Sequence, residues 1–251
     1  MTNFASVKTI SNEKLFTLKF KIMKKVMMIA AMMVATLSAN AQFEPGTFSI
    51  QPKIGATASW LSNMPSLSGM SEAGKNVKLD KVPAVGLVIG AEAEYQLSNM
   101  FSLAAGLNYS MQGSGWEDYT EKSGDYKLEL KDTKIQLGYI TVPVVANIYL
   151  FKGFAVKGGV QFAFLTSAKE KLSMKMSGDG YNVNKDFDES IKDGCEKFDL
   201  SIPVGVSYQV PTIPIVIDCR YNIGLSKVNK GDGDKMKNNV IQLTVGYKFA
   251  L

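Results

Sequence analysis

The final strand-like segment constrains the fold most. Residues 240–249 read VIQLTVGYKF. Ile241, Leu243, Val245, Tyr247 and Phe249 fall on one side; Gln242, Thr244, Gly246 and Lys248 fall on the other. Strict period-two alternation specifies a strand with one apolar and one polar face. Similar segments recur near 47–61, 84–97, 100–114, 134–150, 153–168, 197–210 and 214–227, and the last runs over 239–249. Each is at least ten residues long. Ordinary strands have about 5–6 residues, whereas a tilted membrane-crossing strand needs roughly 9–11.

The links between these segments fall into two classes. Short links sit at Ser98-Asn99, Phe151-Lys152-Gly153 and Pro211-Thr212-Ile213. The stretches 62–83, 115–133, 169–196 and 228–238 are long and polar. Short and long links alternate, which places all short turns at one rim of a barrel. The expected fold class is therefore all-β: an eight-stranded antiparallel up-and-down transmembrane β-barrel with short periplasmic turns and long extracellular loops. A soluble secreted ligand-binding barrel is the alternative; its strands also alternate, but its apolar face points inward. In the membrane reading, the terminal strand carries a C-terminal assembly signal in Val245, Tyr247 and Phe249, and the partners are outer-membrane lipid and the barrel-assembly machinery.

The N-terminus points to export. Met23-Lys24-Lys25 is basic, Val26 to Leu37 is an apolar run of twelve residues, and Ala39 and Ala41 supply small residues before Gln42. This is the pattern of a signal peptide over 23–41, cleaved between Ala41 and Gln42. Twelve apolar residues are too few for a span of about 20. Residues 1–22 form an N-terminal extension with no place in such a signal, which makes Met23 the expected start, and 42–251 is the expected barrel domain. Of 28 basic and 23 acidic residues, residues 1–41 hold six lysines and one glutamate, so residues 42–251 carry 22 of each. A neutral chain whose sole arginine is Arg220 does not suit nucleic acid. The expected localisation is the bacterial outer membrane.

Several segments together resemble the PorT-like outer-membrane β-barrel family of Bacteroidetes. They are Tyr139-Ile140-Thr141-Val142-Pro143, GGVQFAFLTSAK (158–169), IDCRYNIGLSKV (217–228) and the final VIQLTVGYKF. The resemblance covers about residues 46–249 and implies an outer-membrane barrel. It departs from the family at Thr141, where an acid is frequent, and in the extra Ala250 and Leu251. The founding member is linked to protein export, but no motif in this chain carries that role over.

The chemistry available is narrow. The chain has no histidine, which removes Ser-His-Asp and Cys-His catalysis and His-containing zinc sites. Cys195 and Cys219 are the only cysteines; Cys195 reads as loop and Cys219 as mid-strand, which argues against a disulfide. Alternation places Lys53, Glu92, Glu94, Lys157, Asp199, Asp218, Arg220 and Lys248 in the lumen, four charges of each sign. An eight-stranded barrel has room only for side chains, so these charges read as a paired plug rather than an ion path. Glu92 and Glu94 are expected to meet Lys53. The acids Asp186, Asp188, Glu189, Asp232 and Asp234 read as solvated loop rather than calcium site. Trp116, Tyr119 and Tyr181 are loop aromatics suited to a partner, a glycan or simple packing. Trp60, Tyr95, Phe101, Tyr149, Phe154 and Tyr208 read as interfacial girdles. The expected function is a structural or surface-interaction role without catalysis, cofactor or metal. The expected protein is monomeric, with an unidentified extracellular or periplasmic protein partner. A narrow transport channel and a component of an export machine are the rivals.

Overall fold

The computed structural model describes residues 44–70, 76–178, 180–231 and 233–251. Eight strands form the frame: β1 (Phe48–Leu61), β2 (Lys81–Gln96), β3 (Phe101–Trp116), β4 (Tyr126–Phe151), β5 (Phe154–Gly178), β6 (Phe198–Gln209), β7 (Ile215–Gly224) and β8 (Asn238–Tyr247). Each pairs antiparallel with its neighbours in sequence. β8 returns to β1, from Lys53 opposite Gly246 to Leu61 opposite Asn238. The ring is thereby closed and leaves no free edge along the barrel wall. The short strand Phe249–Ala250 continues this seam against Ser49 and Ile50. Ala250 and Leu251 thus extend the closure, and the Leu251 amide donates to the Phe48 carbonyl at 2.9 Å.

Alternation sets the two faces. In β1, Ser49, Gln51, Lys53, Thr57 and Ser59 are buried; in β3 they are Ser102, Asn108, Ser110, Gln112 and Ser114. Apolar side chains lie outside, among them Val85, Leu87, Ile89, Leu107, Leu243 and Val245. A soluble barrel would reverse this. Apolar-out, polar-in alternation matches a wall that meets lipid and a lumen filled by polar side chains.

Short turns occupy one rim. Lys152-Gly153 joins β4 to β5, and Gly153 has a φ of 81°, a left-handed conformation that favours glycine. Between β2 and β3, the Ser98 hydroxyl accepts from the amides of Met100 (3.3 Å) and Phe101 (3.1 Å). Between β6 and β7, the Val210 amide donates to Ile215 at 2.9 Å.

The opposite rim departs from the expected loops. β4 and β5 are 26 and 25 residues long, not the 17 and 16 of the segments 134–150 and 153–168. Most of 115–133 and 169–196 is strand. Tyr119–Ser123 pairs with β4, and Tyr181–Ser190 pairs with β5. The outer parts of β4 and β5 therefore form the centre of a four-stranded sheet. At about 3.3 Å per residue, the segment 126–134 alone extends roughly 30 Å. The stretch 62–83 likewise holds a hairpin, Leu67–Met70 against Asn76–Leu79. A register shift between Lys131 and Lys134 accompanies Asp132 at φ 54°; the extra residues re-phase the strand. The segments proposed as leader and extension, including Ala39, Ala41 and Gln42, lie outside the described residues.

Candidate functional site

The lumen centres on an ion-pair cluster from four strands. Arg220 on β7 forks onto Glu92 of β2, with Nη1 to Oε1 at 2.6 Å and Nη2 to Oε2 at 2.7 Å. Lys53 on β1 also donates to Glu92 Oε1. Arg220 reaches Asp218 as well, with Nη2 at 2.9 Å from Oδ2 and Nε at 2.7 Å from Oδ1. Lys157 of β5 meets Asp218 at 2.5 Å. All five side chains are buried. Two-fold guanidinium–carboxylate bonding is among the stronger polar contacts available, and here it ties β2 to β7 across the lumen.

Glu94 was expected beside Lys53, but it joins a second group nearer the short-turn rim. It lies 2.9 Å from Lys248 Nζ, accepts from Ser102 at 2.7 Å and accepts from the Tyr149 hydroxyl. On β2, Glu92 and Glu94 are two residues apart and share the inner face, and each meets a different cation. Lys53 stands across from Gly90, two residues along β2 from Glu92 and four from Glu94, so Glu92 is its diagonal neighbour. Tyr149 is thus a lumen residue and not part of an interfacial girdle; its ring is also 5.7 Å from Lys248 Nζ. Asp199, near the other rim, accepts from the Ser226 hydroxyl. The lumen charges therefore divide into a cluster of five, a pair centred on Glu94 and Lys248, and Asp199.

Above the cluster the interior turns apolar. Leu61, Met64, Leu79, Trp116, Leu137, Tyr139, Leu165, Cys195 and Val228 pack in one buried group near the long-connection rim. Trp116 belongs to it, with Nε1 donating to the Pro65 carbonyl at 3.0 Å, so it packs the cap and is not a free loop aromatic. The segment carrying Cys195 is held in place by an isolated bridge between Cys195 and Asn229. The Glu196 amide also donates to Val228 at 2.7 Å. Burial pushes the Cys195 thiol up. Both cysteines are free, Cys219 lying exposed on the lipid side of β7.

The four-stranded sheet beyond the rim has two unlike faces. Leu128, Met176 and Val183 are cross-strand neighbours, as are Leu130 with Met174 and Leu172 with Phe187. Directly opposed residues share a face, so these form one apolar surface. Tyr126, Met176, Tyr181 and Phe187 are exposed on it, and Tyr119, opposite Leu130, joins it to the cap. A concavity of about 160 Å³ lies among Tyr126, Leu128, Met176 and Tyr181. The other face is charged. Hydrogen bonds from Lys127 and Lys131, each 3.0 Å away, hold the Glu129 carboxyl below its usual range. Lys169 and Lys171 do the same for Asp188. Asp186 accepts from Ser173 at 2.7 Å. Among the described residues, no three acids or cysteines converge as a metal site. Asp232 lies outside the described residues.

Val245, Tyr247 and Phe249 share the outer face of the terminal segment. Val245 is exposed to the outside, while Tyr247 and Phe249 are half-buried with ring centroids 6.3 Å apart. The inward apolar cap was not read from the sequence. Its signal was present: Leu137, Tyr139 and Leu165 occupy positions in phase with polar lumen residues.

Comparison with known proteins agrees with this architecture. The family model described as outer membrane protein beta-barrel domain matches residues 40–230. Among solved structures, the chain is similar in fold to the attachment invasion locus protein Ail of Yersinia pestis. Identity is 15% and the TM-score 0.37, over 82% of this chain and 99% of that one. Neisserial surface protein A gives 15%, 0.37, 81% and 97% respectively. OprG of Pseudomonas aeruginosa gives 12%, 0.36, 84% and 100%. No curated protein matches the chain.

Proposed function

The chain belongs to the outer membrane protein β-barrel domain family, and from that premise we propose a non-catalytic surface-interaction role for an integral protein of the bacterial outer membrane. The observation that carries it is the contrast between the two ends of the interior and what lies beyond them. The lumen is occupied by mutually paired charges and capped by apolar side chains. The most elaborate part of the chain stands outside the rim, as an amphipathic sheet built from the extensions of β4 and β5. Large exposed apolar surfaces on a folded domain mark contact sites, and exposed aromatics such as Tyr126 and Tyr181 suit a protein or glycan partner.

Catalysis has little support. The chain has no histidine, and the buried carboxylates are engaged by cations or by hydroxyl groups. A monomer suits a ring closed by its own strands. The segments 139–143, 158–169, 217–228 and 240–249 favour a PorT-like member from Bacteroidetes, and 23–41 reads as its signal peptide.

The test is site-specific photo-crosslinking in intact cells, with the crosslinking residue at Tyr126 or Tyr181 on the apolar face and at Lys152 on the opposite rim. The role predicts discrete adducts from Tyr126 and Tyr181. Adducts confined to Lys152 would transfer the role to the periplasmic side, and no adduct from any position would remove the interaction reading.

A further inference from the structure

We propose that the cap holds a binding site for one small, uncharged apolar molecule of about the size of benzene. The cap holds an open-mouthed apolar recess of about 140 Å³ lined by Leu61, Ile135, Leu137, Ile191, Gly194, Cys195, Val228, Asn229 and Met236. An apolar cavity of about 150 Å³ takes up benzene when it is enclosed; this recess is open on one side but matches it in volume and in its apolar lining, and so suits the same class of guest.

The lining selects by polarity. Asn229 is the one amide side chain there, and both ends are already used: Nδ2 donates to the Asp234 carbonyl at 3.1 Å, and Oδ1 accepts from the Met236 amide at 2.9 Å. Cys195 behaves as a small hydrophobe, because burial disfavours its thiolate. A polar or charged guest would surrender its hydration and find few partners, which costs several kcal/mol for an ion even after relaxation. An apolar guest leaves water on the sides it buries and gains contact with the apolar walls.

The walls are built rather than incidental. The Lys230 amide donates to the Gly194 carbonyl at 2.9 Å, and Lys230 Nζ donates to the Asp193 carbonyl at 2.9 Å. Lys192 Nζ donates to the Thr166 carbonyl at 2.8 Å. These bonds fasten the segment 191–196 to β5 and to the connection between β7 and β8. The cavity lies on the outer side of the ion-pair cluster, so a guest enters from outside the cell. This site is independent of the partner surface on the external sheet.

The experiment uses the full barrel in lipid nanodiscs with ¹³C-methyl methionine, titrated with benzene. Met236 lines the cavity, while Met100 is exposed at the short-turn rim and reports benzene dissolved in lipid. The proposal predicts a saturable ring-current shift at Met236, with Met100 showing at most a linear, non-saturating drift. It also predicts a severalfold slowing of Cys195 alkylation by a small neutral maleimide, resolved from Cys219 by mass spectrometry. Val228→Phe, which fills the cavity, should abolish both effects; Ile191→Trp, at the half-buried edge, serves if the first variant misfolds. A Met236 response no different from Met100, or one that persists undiminished in the filled variants, overturns the proposal.

Discussion

Glu92 takes bonds from both Arg220 and Lys53, and its replacement should cost far more than that of its lysine neighbour. Three cations (Lys53, Lys157, Arg220) share two carboxylates (Glu92, Asp218), a net charge of +1. Glu92→Gln keeps the shape but raises that to +2, with three buried cations left to Asp218 alone. Removing one partner of a buried ion pair costs about 3–5 kcal/mol. Lys53→Met instead brings the cluster to neutrality and leaves the two-fold bond from Arg220 to Glu92 intact. Its expected cost is about 1 kcal/mol, the net worth of one hydrogen bond. The double variant returns the cluster to +1 and should cost less than the sum of the single ones. Urea unfolding in lipid vesicles, followed by heat-modifiable gel mobility and tryptophan fluorescence, measures all three. If Lys53→Met were as damaging as Glu92→Gln, or the double variant simply additive, charge balance would not be what stabilises the lumen.

Two further outcomes follow from the outer surfaces. Val245→Arg places a cation on the lipid side of β8 and should destabilise by about 2–4 kcal/mol near the bilayer midplane, whereas Val245→Leu should be nearly neutral; harmless substitution by Arg in the same vesicle assay would mean that this face meets water. Glu129 and Asp188 are held below their usual carboxylate range by neighbouring lysines, so their contribution to the external sheet is fully present at neutral pH and is lost as pH falls through those depressed values. Both are solvent-exposed and the effect is small, but hydrogen exchange over 169–190, corrected for intrinsic rates, should show less protection at acid pH; unchanged or greater protection would contradict the pairing.

Much of the barrel was legible because alternation and link length are local. Ile241, Leu243 and Val245 against Gln242 and Thr244 fix which residues share a face without any tertiary knowledge, and the alternating link lengths make the apolar face the lipid side. The eight charged positions fall on the inner face by the same count. What the sequence concealed depended on pairing between distant segments. Tyr126 to Lys134 is rich in Lys, Glu and Asp and reads as loop, yet it is strand because Lys127 to Lys131 finds Ser173 to Ser177 opposite it. Tyr149 reads as a girdle aromatic because aromatics near strand ends often are; parity with Asn147 and Val145 places it inside, where its hydroxyl meets Glu94. The apolar cap escaped notice because Leu137, Tyr139 and Leu165 are ordinary apolar residues on strands. Only the meeting of four barrel strands with the connections that carry Met64, Leu79, Cys195 and Val228 makes them a lid.

The sealed interior is the claim on which the functional reading rests, and planar-bilayer recording of the purified protein tests it most directly. A lumen filled by the cluster around Glu92 and Arg220 and covered by the cap around Leu137 and Trp116 predicts no steady conductance. Stable, reproducible openings of the unaltered protein would contradict it and make solute transport the better account of this barrel.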